Sequence, residues 1–156
     1  AAAGPEKGTG VQDVPGKGLA WHGQRPQPGW AAPKVHLDGL GPAHGPLVQT
    51  GGHALSAAAV AEGSADFAAL DAQTWRLLTR HTPLGEALDV VAQTAPTPAL
   101  PYITSLTQDA DALFAAMSTA LSTLDSATQD ALGLKALVTV PSQDYLAVAT
   151  PKPPQI

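Results

Sequence analysis

The sequence predicts an α/β fold with a mostly parallel sheet flanked by helices. From Leu47 onward, short apolar segments typical of strands alternate with longer alanine-rich segments typical of helices. Glycines punctuate this alternation: Gly51 and Gly52 follow the first strand candidate, and Gly63 follows the first helix candidate. Because strands that alternate with helices form βαβ units, the strands are expected to be parallel.

The clearest elements lie in the middle of the chain. We expect, in order, a strand over 47–50, a helix over 54–62 and a short strand over 66–70. Asp71 is a preferred N-cap residue and should begin a helix that ends near Arg80. Trp75 and Leu78 are expected to face the core from this helix.

The C-terminal half is predicted by the same patterns. We expect a strand over 88–94, an extended stretch over 96–101 and a strand or linker over 102–105. A helix over 109–124 and a short helix from Ser126 to Gly133 should follow. The last elements are a strand over 137–140 and a turn or helix from Ser142. The longest helix is the most secure, because Leu113, Met117, Leu121 and Leu124 recur at helical spacing.

Residues 1–46 do not follow this pattern. Prolines recur every few residues there, and they interrupt helices and remove hydrogen-bond donors from strands. We expect an irregular segment in which only residues 34–38 offer a short element.

Composition excludes several functions. The net charge is −5, and the 8 lysine and arginine residues are spread along the chain, which argues against nucleic acid as a partner. The absence of cysteine excludes disulfides and thiolate catalysis. No apolar run approaches the ~20 residues of a membrane span, and the N-terminus lacks the apolar region of a signal peptide.

Two residues are candidates for ligand binding. His53 follows Gly51 and Gly52 at the start of a helix, where free backbone N–H groups and the helix dipole attract an anion. The plainer alternative is a histidine exposed at a turn. Asp71 is either only an N-cap or also a carboxylate at the mouth of a cleft, and one residue can serve both roles.

No other arrangement indicates chemistry. The remaining histidines lack metal-ligand spacing, so we expect no metal and no cofactor. Nothing pairs a nucleophile with a base, so we expect no catalytic residues and no enzyme. Tyr102, in a proline-bounded segment, is equally consistent with packing and with lining a cleft.

The run from Thr50-Gly-Gly-His53 through Ala59-Val-Ala-Glu-Gly63-Ser-Ala-Asp66 to Asp71 and Trp75 resembles a signature of phosphate/phosphonate-type ABC transporter substrate-binding proteins. The segment 99–104 is similar to the part in which that family's chain crosses between lobes. The resemblance implies a partial type II periplasmic-binding-protein fold. It also implies an oxyanion site in which His53 donates to the anion and Asp71 accepts from a protonated oxygen or an amine. We expect Gly51, Gly52 and Tyr102 to be further ligand-binding residues.

The resemblance covers about residues 47–148 and divides the chain. We expect an irregular segment that does not match the family (1–46), a portion of a ligand-binding lobe (47–95), an interlobe crossing with C-terminal helices and strand (96–150), and a tail (151–156). The family's hydroxyl-rich SxSG-like turn has its nearest counterpart at 24–30, where Pro26 and Pro28 donate no hydrogen bonds.

The function implied is that of a solute-binding component for phosphate, phosphonate or phosphite, which passes its ligand to an ABC transporter permease. An exported chain would act in the periplasm or at the cell surface, and it would not itself span the membrane. The alternatives are an effector-binding domain of a regulator, an enzyme on a related scaffold, and a remnant lobe that binds nothing.

Overall fold

The computed structural model describes residues 16–23, 30–38 and 45–152. Its three strands are β1 (Leu19–Trp21), β2 (Leu47–Gln49) and β3 (Phe67–Ala68). Its helices are α1 (Ala32–Asp38), α2 (His53–Ala61), α3 (Ala72–His81), α4 (Leu84–Ala87), α5 (Ala110–Ser122), α6 (Ser126–Leu132) and α7 (Ser142–Leu146). The chain divides into two compact units, Ala1–Pro96 with Ala149–Ile156, and Thr97–Val148.

The first unit contains a three-stranded sheet in the order β2-β1-β3. Both pairings are parallel: Leu19 is paired with Leu47 on one side and with Phe67 on the other. Parallel neighbours require crossover connections, and α1 and α2 supply them. The predicted α/β fold with a parallel sheet and flanking helices is confirmed.

The central strand of this sheet lies within residues 1–46, the segment that the sequence analysis predicted to be irregular. Strand β1 pairs with both other strands, and all three of its residues are buried. Helix α1 extends the short element expected at 34–38. The expectation of an irregular segment is therefore wrong for Leu19–Trp21 and Ala32–Asp38. The rest of that segment, including Pro26 and Pro28, lies outside the described residues.

The core of the first unit forms around β1. Leu19, Trp21 and Trp30 form one buried cluster, against which Leu47 and Phe67 pack. The two tryptophan rings meet edge to face, with centroids 5.8 Å apart, a geometry that aromatic pairs favour. The Trp30 indole Nε1–H donates to the carbonyl of Lys152 at 2.9 Å and so fixes the start of the C-terminal tail.

Helix boundaries follow the local signals in the sequence. Asp71 caps α3, as predicted, by accepting a hydrogen bond from the backbone of Thr74 at 2.8 Å. Gly63, with φ of +77°, ends α2, because glycine adopts this left-handed conformation without steric cost. Helix α6 begins as expected at Ser126, and its N-cap is Asp125.

The core-facing positions of α3 agree with the prediction, whereas two predicted strands are absent from the described residues. Leu78 is buried and Trp75 is half-buried on α3. Residues 88–94 and 137–140 form no strand, and Val90, Val91 and Val138 are exposed there. Apolar, β-branched residues favour a strand, but a strand forms only where a partner supplies hydrogen bonds.

The second unit is helical and has little core of its own. Helix α5 covers most of the predicted 109–124 and is capped by Asp109, which accepts from two backbone N–H groups. Helix α7 confirms the expected turn or helix from Ser142. None of the described residues of this unit is fully buried. Within the described parts of the chain, no helix combines the length and apolar character needed to cross a bilayer.

Candidate functional site

The three parallel strands bring His22, His53 and Asp71 to one edge of the sheet. His22 directly follows β1, His53 follows β2 after a short glycine turn, and Asp71 follows β3 by three residues. In open α/β sheets, ligands bind beyond the carboxyl ends of the strands, where the strand order reverses. The order β2-β1-β3 reverses at β1, so this edge is the expected position of a ligand.

Thr50 holds the end of β1 against the start of α2. Its backbone N–H donates to the Trp21 carbonyl at 2.9 Å, and its hydroxyl lies 3.1 Å from the same oxygen. The hydroxyl also lies 2.6 Å from that of Ser56, which is fully buried on α2. Because His22 follows Trp21, and His53 lies one helical turn before Ser56, these contacts fix the spacing of the two histidines.

His53 and Asp71 are in direct contact. The imidazole Nε2 lies 3.2 Å from Asp71 Oδ2, and both side chains are partly exposed to solvent. Asp71 also accepts from the Thr74 backbone through Oδ1 and from the Thr74 hydroxyl through Oδ2. The carboxylate that caps α3 therefore also contacts the imidazole.

Asp71 carries its negative charge at neutral pH. Burial by itself would raise the pKa of this carboxyl. The hydrogen bonds from the Thr74 side chain and backbone, the charge of His53 and the Gln73 backbone outweigh burial and lower the pKa of Asp71 below its ordinary value. An ionised carboxylate only accepts hydrogen bonds, so a hydrogen bond along the 3.2 Å contact requires the hydrogen to be on Nε2 of His53.

His22 lies against the ring of His53. The two ring centroids are 3.9 Å apart, and the planes are tilted by 51°. Burial lowers the pKa of His22, the charge of His53 lowers it further, and Asp71 opposes both. The Nδ1 atoms of both rings are shielded from solvent and have no hydrogen-bond partner among the described residues. Such orphaned atoms usually mark strain or a binding role.

The start of α2 also offers hydrogen-bond donors. Its N-cap is Gly52, and no side chain caps the helix. The N–H groups of a first helical turn have no intrahelical acceptor, and the positive end of the dipole adds to their attraction for anions. Gly51, with φ of +87°, makes the turn that brings these amides to the edge of the sheet.

The sequence prediction identified part of this arrangement. His53, Asp71, Gly51 and Gly52 lie together at the edge of the sheet, whereas Tyr102 belongs to the second unit, where its side chain is 70% exposed. His22 was not predicted. The available signal was its place directly after Leu19-Ala-Trp21, a short apolar run inside the Gly/Pro-rich segment.

Asp66 forms two hydrogen bonds with Gly18 that its place in the sequence did not predict. Its Oδ2 accepts from the backbone N–H of Gly18 at 2.7 Å, and its own N–H donates to the Gly18 carbonyl at 2.9 Å. These bonds align β3 with β1 and therefore help to bring Asp71 to the site. Among the described residues, no group of three or more histidine, aspartate or glutamate side chains is arranged to hold a metal ion.

Comparison with known families supports the resemblance seen in residues 50–75. A family model described as ABC transporter, phosphonate, periplasmic substrate-binding protein matches residues 2–145. The match begins at residue 2, so it includes the Gly/Pro-rich segment that the sequence analysis set apart. No curated protein sequence matches the chain.

Proposed function

Because the chain belongs to the family of phosphonate-type periplasmic substrate-binding proteins of ABC transporters, we propose that it binds a small phosphorus oxyanion at the carboxyl edge of its sheet. The ligand class is phosphonate, phosphate or phosphite, held without covalent chemistry and released to a permease. An exported chain performs this role in the periplasm or at the cell surface.

The contact between His53 and Asp71 carries this proposal. It places an imidazole, supported by a carboxylate, beside the uncapped start of α2. Backbone amides at a helix start bind anions through hydrogen bonds and through the dipole. A doubly protonated imidazole adds a donor, Nδ1–H, whose orientation the contact of Nε2 with the carboxylate fixes. Together they provide several donors for one tetrahedral anion.

Asp71 contributes to this site mainly by holding His53. A carboxylate offers about four acceptor positions. Hydrogen bonds from the Thr74 backbone, the Thr74 hydroxyl and the Gln73 backbone use three of them, and His53 Nε2 lies 3.2 Å from Oδ2. A protonated ligand oxygen or an amine binds Asp71 by replacing one of these donors. The negative charge near the anion then disfavours ligands that carry no proton to share.

Thermal unfolding with and without anions tests the proposal. The full chain is melted alone and with millimolar methylphosphonate, phosphate and phosphite, with sulfate as a tetrahedral control that carries no proton. A ligand that binds only the folded state stabilises it by about 2.7 kcal/mol at a hundredfold excess over Kd. We expect at least one phosphorus oxyanion to raise the melting temperature with increasing concentration.

Matched variants assign the effect to the site. His53→Ala should abolish the anion-dependent shift, whereas His81→Ala, at the exposed end of α3, should retain it. A cooperative melt that responds to none of the anions would contradict the proposal and favour the remnant lobe that binds nothing.

A further inference from the structure

His22 has no part in the function described so far, yet its ring lies directly against that of His53. The centroid separation of 3.9 Å means that an anion bound by His53 lies within a few ångströms of His22 as well. Both rings bury an Nδ1 atom that lacks a hydrogen-bond partner among the described residues. A buried polar nitrogen without a partner is unfavourable, so a change that pairs it stabilises the site.

A neutral His53 with its hydrogen on Nε2 has no second N–H group to donate to an anion. Asp71 Oδ2 lies 3.2 Å from Nε2, and with the hydrogen on Nε2 the Nδ1 atom of a neutral His53 carries a lone pair. A neutral His22 also carries one lone pair on its ring. An oxyanion that approaches two neutral rings therefore meets acceptors as well as donors. A proton added to either ring turns that ring into a cation with two donors.

The charged groups around His22 influence when its ring takes up a proton. Among the described residues, the charged groups that act on it are His53 at the start of α2 and Asp71 before α3. The turn between β2 and α2 contains Thr50, Gly51 and Gly52 and supplies no titratable side chain. Burial and His53 keep His22 neutral in the ligand-free protein near neutral pH, so its charge can change when an anion arrives.

We propose that His22 is a second anion-binding residue of this site and that it takes up a proton from solvent when the oxyanion binds. The inference rests on the proposed function. One N–H bond forms on the imidazole, and the positive charge is balanced by the anion. Binding consequently strengthens as the pH falls toward the range in which His22 titrates.

Two measurements on the full chain test this proposal. In the first, the ring proton resonances of His22 are followed by NMR from about pH 5 to about pH 8, with and without saturating methylphosphonate. We expect the anion to shift the titration of His22 upward by about one pH unit, the size that a neighbouring opposite charge produces.

The second measurement is calorimetry of methylphosphonate binding in buffers with different ionisation enthalpies. His22→Phe keeps an aromatic ring against His53 but cannot take up a proton. This variant should bind several-fold more weakly and take up fewer protons than the wild type. The ligand's own ionisation is the same for both proteins and cancels in the difference. His22→Asn provides a second variant if the phenyl ring disturbs folding, and His81→Phe is the exposed control.

The outcomes separate this inference from the function on which it rests. If the wild type binds none of the anions at any pH tested, the proposed function fails and this inference fails with it. If methylphosphonate binds but the titration of His22 is unchanged, or if both His22 variants take up as many protons as the wild type, only the role of His22 is overturned.

Discussion

The hydroxyl groups of Thr50 and Ser56 lie 2.6 Å apart and join the end of β2 to the buried side of α2. The same Thr50 hydroxyl lies 3.1 Å from the carbonyl of Trp21 at the end of β1. One side chain thus connects two strands and the helix that begins the site. Its geometry explains why His22 and His53, which follow different strands, meet at this edge.

Removing this hydroxyl contact should destabilise the fold. Ser56→Ala should lower the free energy of unfolding by about 1 kcal/mol, the typical value for one intramolecular hydrogen bond. Thr50→Val should cost more, about 2 kcal/mol, because it leaves the buried Ser56 hydroxyl without its partner. Urea denaturation measures both. Ser122→Ala, on the exposed end of α5, is the control and should change stability by less than about 0.5 kcal/mol. Equal stability of all three variants would contradict the role of Thr50.

Gly51 and Gly52, in the turn before α2, should differ in how much stability an alanine substitution costs. Gly51 has φ of +87°, and a β-carbon built there meets no atom within 4 Å, so backbone strain alone opposes substitution. Gly51→Ala should cost about 1–2 kcal/mol. Gly52 has an extended φ of −172° and also open space around it, so Gly52→Ala should cost less. Thermal or urea unfolding of the two variants provides the comparison, and a larger loss for Gly52→Ala would show that strain is not the deciding factor.

Two substitutions at Asp71 distinguish the stability that it contributes as the N-cap of α3 from the stability that its charge contributes. Asparagine is a good N-cap residue, so Asp71→Asn should retain most of the stability of α3 at neutral pH. Asp71→Ala should lose about 1 kcal/mol, because the Thr74 amide loses its acceptor. Urea denaturation near pH 7 distinguishes them. Equal losses for both variants would mean that the contact with His53 stabilises the fold more than the cap does.

The charge of Asp71 should appear as a loss of stability in acid. Its folded-state pKa is lowered below the ordinary value of 3.8, so the unfolded chain takes up a proton before the folded one does. The stabilisation is fully present above the unfolded pKa and is lost as the pH falls through the folded pKa. Asp71→Asn should reduce the slope of unfolding free energy against pH in this range. An unchanged slope would contradict the assignment.

His22 should produce a second pH dependence, nearer to neutrality. Its folded-state pKa lies below the ordinary value of 6.5, so above that pH both states are neutral and stability is unaffected. As the pH falls below 6.5, the unfolded chain takes up a proton first, and the free energy of unfolding decreases. His22→Phe should lose less stability than the wild type between about pH 7.5 and about pH 5.5. Urea denaturation of both proteins at these pH values tests this, with His81→Phe as the control.

Where the sequence predicted correctly, the cause was local. Asp71 accepts from the amide of Thr74 three residues later, and Gly63 ends α2 through its own backbone conformation, so both boundaries depend on neighbours in the chain. The candidate pair His53 and Asp71 could be predicted because each lies at the start of a helix. Their contact at 3.2 Å could not, since it depends on the pairing of β3 with β1.

The sequence by itself determined the positions of the main helices, the α/β class and two of the residues at the edge of the sheet. These features depend on helix propensity, caps and glycine turns, which act over a few residues. The tertiary structure decided that Leu19–Trp21 is the central strand and that residues 88–94 and 137–140 are not strands. It also decided that His22 joins His53. A strand of three residues is stable only through partners distant in sequence, and β1 has two such partners, whereas 88–94 and 137–140 have none among the described residues.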